Sequence, residues 1–241
     1  MNPIVDNLSN INQRIADAAA RSNRTPDAIG LVVVTKGRSV PEIQTVLAAG
    51  ATDIGENRVQ EAQQKYTLAN AFVSNASTVP THKTCRWHLI GHLQRNKVKT
   101  ALSLFSLIHS VDSLRLLTEI ARRSEERAQQ TEVLIQINTT GEASKYGLAA
   151  NDLLGFMEKA QAYPTVHIAG LMTIGQFNPS AEVNRPAFAL LRSLAEKIKV
   201  QKFPGVTMRY LSMGMTNDFE VAIEEGANLV RIGTAIFGTR A

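Results

Sequence analysis

Leu31-Val32-Val33-Val34-Thr35-Lys36-Gly37 opens on four apolar residues, three of them β-branched, and ends on a lysine and a glycine. A run this short and this apolar reads as a strand buried on both faces, which a parallel sheet covered by helices requires. Similar runs recur at residues 52–54, 87–90, 107–109, 133–138, 168–173, 208–211 and 229–232, each followed or preceded by a segment of helical spacing. Eight strands alternating with helices predict the α/β class and a single (β/α)8 TIM barrel.

The intervening segments carry start and stop signals. Ser39 with Glu42 forms a capping box before Ile43, Val46 and Leu47, closed by Gly50, and Asp112 is expected to cap the helix of Leu116, Leu117 and Ile120. Ile4, Leu8, Ile11, Ile15 and Ala18 repeat at helical spacing ahead of the first strand, so an extra N-terminal helix is expected across the barrel. Residues 74–84 are polar and aperiodic and read as a flexible surface loop. With 241 residues, 44% of them hydrophobic, and nothing after Leu229 long enough for a second unit, one domain over residues 1–241 is expected.

Composition removes several functions. No apolar run nears the roughly 20 residues a membrane helix needs, and no basic segment leads into an apolar stretch at the N-terminus, so no membrane association and a cytoplasmic location are expected. Cys85, the only cysteine, has no internal disulfide partner and reads as packing. The net charge of +5 is small for this length, and the basic stretch of Lys83, Arg86, Arg95, Lys97 and Lys99 lacks interleaved aromatics. It reads as a solvated helix face, with no nucleic acid as partner. His88, His92 and His109 lack metal-ligand spacing, so no metal site is assigned.

Working residues of such barrels sit at the C-terminal ends of strands. Lys36 shares a face with Val34 and Val32; if that face is the interior, desolvation would lower its pKa and free the amine for a carbonyl, and the alternative is a lysine reaching out of the barrel mouth. After the second strand, Asp53-Ile54-Gly55-Glu56-Asn57-Arg58 offers Asn57 either as a donor or as a helix cap, and capping is the simpler reading. Tyr210-Leu211-Ser212-Met213-Gly214-Met215-Thr216 and Val230-Arg231-Ile232-Gly233-Thr234-Ala235 each join a hydroxyl to a glycine at the last two strand ends. Loops there, with a short helix opening at one of them, form the recurrent phosphate site of these barrels. Closure brings the eighth strand beside the first, so an amine faces a phosphate site, and pyridoxal 5′-phosphate needs both. Arg231 against the pyridine nitrogen would keep it unprotonated and the ring a poor electron sink; the alternative is a buried salt bridge from Arg231 to Glu56 or Asp218. Asp218, Glu220, Glu224 and Glu225 read as the acidic start and exposed face of one helix.

The sequence resembles the pyridoxal phosphate homeostasis proteins, single-domain relatives of the alanine racemase N-terminal domain barrel. The resemblance covers nearly the whole chain. It rests on Val34-Thr35-Lys36, Gly55-Glu56-Asn57-Arg58-Val59-Gln60-Glu61, Trp87-His88-Leu89-Ile90-Gly91, Leu93-Gln94-Arg95-Asn96-Lys97, Gly170-Leu171-Met172, Leu211-Ser212-Met213-Gly214-Met215 and Val230-Arg231-Ile232-Gly233-Thr234. It implies a Schiff base of the cofactor on Lys36, Asn57 near the ring, Arg231 at the pyridine nitrogen, and Ser212, Gly233 and Thr234 around the phosphate with Gly214 nearby. Lys145 matches a family lysine loop whose role stays open. Thr216 stands where the family usually has serine, which shifts the phosphate contacts slightly. Gln176 stands where proline is common, which is expected to loosen that loop.

The function implied is a non-catalytic carrier in vitamin B6 and amino-acid homeostasis, with pyridoxal phosphate and pyridoxal-phosphate-dependent apoenzymes as partners and no catalytic residue assigned. The alternative is an amino-acid racemase lacking its second domain. Related racemases draw a second base from a β domain after the barrel, and the chain stops at Ala241, which argues against efficient racemisation and for a monomer. A third possibility is a phosphate-binding barrel that uses Lys36 for another carbonyl ligand.

Overall fold

Every strand of the barrel is parallel to its neighbours, so every strand needs cover on its outer face and the connections must be helices. In the computed structural model, which describes residues 2–75, 85–142, 145–177 and 180–239, the strands are β1 (Gly30–Val34), β2 (Asp53–Glu56), β3 (Arg86–Leu89), β4 (Leu107–Val111), β5 (Thr131–Asn138), β6 (Leu148–Ala149), β7 (Val166–Met172), β8 (Val206–Ser212) and β9 (Leu229–Ile232). They run in the order β4-β3-β2-β1-β9-β8-β7-β5, and a β4–β5 pairing closes the ring; β6 is a two-residue addition outside it, on β5. The expected eight-stranded barrel is the observed one. The helices are α1 (Pro3–Arg21), α2 (Val40–Ala48), α3 (Val59–Asn75), α4 (Val98–Leu104), α5 (Leu114–Glu125), α6 (Leu153–Ala160), α7 (Arg185–Gln201), α8 (Phe219–Glu224) and α9 (Thr234–Phe237).

Alternation along the strands divides the apolar residues into two cores. Val32, Ile90, Leu107, Leu134, Ala169, Met172 and Leu229 fill the lumen, whereas Val33, Ile54, Trp87, Ile108 and Val230 join the larger layer between strands and helices. Phe188 of α7 is fully buried in that outer layer, and its truncation to alanine is worth about 3–5 kcal/mol. Trp87 is buried there with its indole N–H donated to Asn70 Oδ1 at 3.2 Å.

The N-terminal helix forms as its spacing predicts, with Asn2 Oδ1 accepting from the Ile4 amide at 3.0 Å and Pro3 in the first turn. Its buried Leu8, Ile11, Ile15 and Ala18 pack against α8, α9 and α2, so it covers the β1–β9 side of the barrel. The Ser39–Glu42 capping box starts α2, and Gly50 ends it at φ +98°, where a side chain would be strained.

Three sequence expectations need correction. Asp112 is not the cap of α5; Ser113 is, its hydroxyl accepting from the Leu116 amide at 3.4 Å. Two strands run past the ends expected for them: β2 continues through Glu56, which pairs with Lys65 at 2.8 Å, and β4 through Val111, with Ser110 donating to the Gly91 carbonyl at 2.7 Å. Within the segment expected to be a loop, Ser74 and Asn75 belong to α3, and residues 76–84 lie outside the described residues.

Candidate functional site

The C-terminal ends of β1, β2, β8 and β9 surround a cavity of about 690 Å³. Lys36, Asn57, Arg231, Gly233 and Thr234 all line it, together with Arg38 and the turn Met215–Asp218. The β1–β9 register, Val33 opposite Ile232, sets Val34 against Gly233, and Lys36, two residues on, lines the same cavity. Val34, Ile90 and Ile174 supply an apolar wall against which a flat ring could lie.

Lys36 is exposed, because β1 ends at Val34 and the lysine stands beyond it at the mouth. Of the two readings, this is the lysine reaching out of the barrel mouth and not the desolvated amine of the interior. Its backbone is braced from behind instead. Lys65 Nζ donates to the Thr35 carbonyl at 2.8 Å, to Glu56 Oε1 at 2.8 Å and to Glu61 Oε1 at 2.6 Å, and Glu61 in turn accepts from the Gly37 amide. Thr35 Oγ1 donates to Glu56 Oε1 at 2.6 Å. Burial raises the Glu56 carboxyl above its ordinary range, against the pull of Lys65, and its Oε2 has no hydrogen-bond partner among the described residues.

Arg231 is buried, with Nη1 donating to Ser212 Oγ at 2.6 Å and Nη2 to the Thr173 carbonyl at 2.8 Å. Burial lowers its pKa to about 10, which still leaves it cationic at neutral pH. The salt-bridge alternative is not what the geometry shows: Glu56 pairs with Lys65, and Asp218 accepts from the Met215 amide and from Asn184 Nδ2, each at 2.7 Å. Asp218 acts on Arg231 electrostatically only.

The lining therefore sets Lys36, Arg38 and Arg231 against the single carboxylate of Asp218, which burial pushes toward its neutral form. That donor set suits an anion. The first N–H groups of α9, at Thr234 and Ala235, have no acceptor within their own helix and open on the same loop as Gly233. Gly214, at φ +91°, has no room for a Cβ, which would come within 2.6 Å of Ala222 Cβ; Gly233 is pressed against β1, where a Cβ would lie 2.9 Å from the Val34 carbonyl.

Ser212 is placed differently from the expectation. It is fully buried beneath Arg231 rather than on the cavity wall, its Oγ shared between Arg231 and His109 Nδ1, the latter at 2.9 Å. From there a file of contacts continues: His109 Nε2 to His88 Nδ1 at 2.9 Å, His88 Nε2 to Asp53 Oδ1 at 2.8 Å, and Asp53 to the half-exposed Arg86 at 2.7 Å. Sequence reasoning had set these histidines apart. Strand alternation puts each on the lumen face, His88 with Ile90 and His109 with Leu107, but only the β3–β4 register brings the two together.

Gln176 also departs from expectation. Its amide donates to Asn184 Oδ1 at 2.7 Å and its carbonyl accepts from Asn184 Nδ2 at 3.0 Å, so the loop is pinned, by an N–H that proline lacks. Lys145 reaches Glu142 at 2.6 Å and the Gly175 carbonyl at 3.2 Å. Burial drives the Cys85 thiol up to about 12, which makes it a poor nucleophile.

Comparison with known proteins gives consistent results. The alanine racemase N-terminal domain family matches residues 7–241. The pyridoxal phosphate homeostasis protein of Aquifex aeolicus is 37% identical over 235 residues, covering 98% of this chain and 97% of that one. Its namesake from Pseudomonas aeruginosa is 35% identical over 240 residues, covering 100% and 97%. The structure of PipY from Synechococcus elongatus, solved with pyridoxal phosphate bound, superimposes with a TM-score of 0.77 at 32% identity, over 93% of this chain and 100% of that one.

Proposed function

Because the chain belongs to the family of pyridoxal phosphate homeostasis proteins, we propose that it binds pyridoxal 5′-phosphate on Lys36 and serves vitamin B6 and amino-acid homeostasis without turnover of its own. The observation that carries the reading is the convergence of an exposed primary amine, a buried guanidinium and a helix opening on one cavity. In this reading Lys36 takes the aldehyde carbon, Asn57 lies beside the ring, and Arg231 faces the pyridine nitrogen. The phosphate sits at Gly233, Thr234 and the turn from Gly214 to Thr216. Ser212 contributes from beneath, by holding Arg231.

When bound, the cofactor supplies a reactive carbonyl on an electron-withdrawing ring. The chain's own residues bias what that carbonyl does. A guanidinium that stays charged donates to the ring nitrogen and leaves it unprotonated, which weakens the ring as an electron sink and favours holding over carbanion chemistry. Exposure of Lys36 leaves the linkage open to exchange with incoming amines. The names of the relatives support the same role. A single domain over residues 1–241, acting as a monomer in the cytoplasm and passing the cofactor to dependent apoenzymes, completes the proposal.

Borohydride reduction of the loaded protein followed by peptide mapping tests it. The label is expected on the peptide carrying Lys36; a label on Lys145 or Lys65 would contradict the assignment. Interconversion of alanine enantiomers by the purified protein, abolished by Lys36→Ala, would replace the carrier with a racemase.

A further inference from the structure

Arg231 stands at one end of a file of buried side chains that crosses the lumen: Ser212 on β8, His109 on β4, His88 on β3 and Asp53 on β2. The two ends are chemically one-way. A guanidinium only donates, and an ionised carboxylate only accepts. Hydrogen bonds from His88 and Thr52 and the ion pair with Arg86 at 2.7 Å hold the Asp53 carboxyl below its ordinary range, so it is ionised at neutral pH.

With the ends set, the middle follows by satisfying each atom in turn. Ser212 Oγ accepts from Arg231, and its own hydrogen goes to His109 Nδ1, its one other recorded contact. His109 then carries hydrogen on Nε2 and donates to His88 Nδ1, and His88 carries hydrogen on Nε2 and donates to Asp53. In this arrangement each imidazole holds a single hydrogen, on Nε2. The opposite polarity needs one more proton: an imidazolium at His88 donating both ways, and His109 donating from Nδ1 to Ser212. Two donors would then fall on the Ser212 oxygen, and its hydrogen would meet no acceptor among the described residues. Burial, charge at His88 and the Arg231 charge all oppose protonation of His109, which is neutral in either polarity.

We propose that His109, held by His88 and Asp53, is a positioning residue for Arg231, presenting a Ser212 lone pair to the guanidinium through a file whose hydrogens all point away from the cavity. Its consequence rests on the reading that Arg231 faces the pyridine nitrogen: the lumen aims the guanidinium and has no hydrogen directed at the ring, so the nitrogen stays unprotonated from that side too.

The polarity is tested on protein without cofactor, by long-range 1H–15N NMR of ring-labelled histidine at neutral pH, assigned with His88→Gln and His109→Gln. Neutral Nε2–H signals for both residues are expected. A doubly protonated His88, or His109 carrying hydrogen on Nδ1, overturns the polarity whether or not the cofactor binds. The positioning role is tested with pyridoxal phosphate by equilibrium dialysis and by the pH titration of the bound absorbance band. His109→Leu is expected to weaken retention about tenfold, the effect of one buried hydrogen bond left unmet, and to shift the titration. His109→Gln, whose amide accepts from Ser212 and donates to His88, should recover most of both. Retention and titration unchanged in His109→Leu would overturn the role. Wild-type protein that takes up no pyridoxal phosphate would defeat the reading of the site, while the histidine signals would still decide the polarity of the file.

Discussion

Two buried polar systems flank β1, and they are built on opposite plans. On the helix side, Lys65, Glu56, Glu61 and Thr35 form a compact knot in which unlike charges touch directly. In the lumen, the cation of Arg231 and the anion of Asp53 stand apart, joined by two imidazoles and a hydroxyl. The knot grips backbone, the Thr35 carbonyl and the Gly37 amide on either side of Lys36. The lumen file grips a side chain. One system holds the chain that carries the amine, and the other aims the group across the cavity from it.

The sharpest way to break the comparison is Lys65→Met. It leaves the Glu56 carboxyl buried without its cation, and a loss of about 3–5 kcal/mol is expected in urea unfolding, largely restored by Glu56→Gln in the same chain. A loss below about 1 kcal/mol would mean that the knot is no more than a surface pair.

The two systems should also answer to pH with opposite signs. Asp53 and His109 have folded pKa values below their unfolded ones, so their contributions are present above the unfolded pKa and are lost as pH falls. For His109 the loss begins below 6.5; for Asp53 it runs from about 4 down to about 2 and amounts to roughly 2 kcal/mol. Glu56 has a raised folded pKa, so its contribution is present below its unfolded value and fades as pH rises through the folded one. Stability measured against pH in Asp53→Asn should therefore show a flatter acid limb than wild type, and an unchanged limb would remove Asp53 from the account.

How much of this the sequence showed depended on the kind of contact involved. Strands were legible because burial on both faces demands apolar runs, and β9 falls on residues 229–232 as read. Lys36, Arg231, Gly233 and Thr234 were legible as candidates for the barrel mouth because strand ends define it, and they line one cavity; Asn57, which lines it too, had read from the residues as a helix cap and entered through the resemblance. The lumen file was not, because His88 and His109 meet only through the register of two parallel strands, which spacing alone does not give. Neither was the knot, since Lys65 reaches back from the middle of α3 to a glutamate beyond the run read as the second strand. Exposure of Lys36 turned on β1 stopping at Val34, two residues before it.

Gln176→Pro gives the smallest expected effect. It removes the 2.7 Å bond to Asn184 beyond both systems, at a cost of about 1 kcal/mol in the same unfolding measurement, and should leave the pH dependence of stability unchanged. A change in that dependence would show that the loop is coupled to the lumen.

The central claim is tested most directly by the absorbance spectrum of the purified protein with added pyridoxal phosphate, recorded beside Lys36→Ala. A visible band of lysine-bound cofactor in the wild type, absent from the variant, is the predicted result. No band in either protein, or an equal band in both, would contradict it.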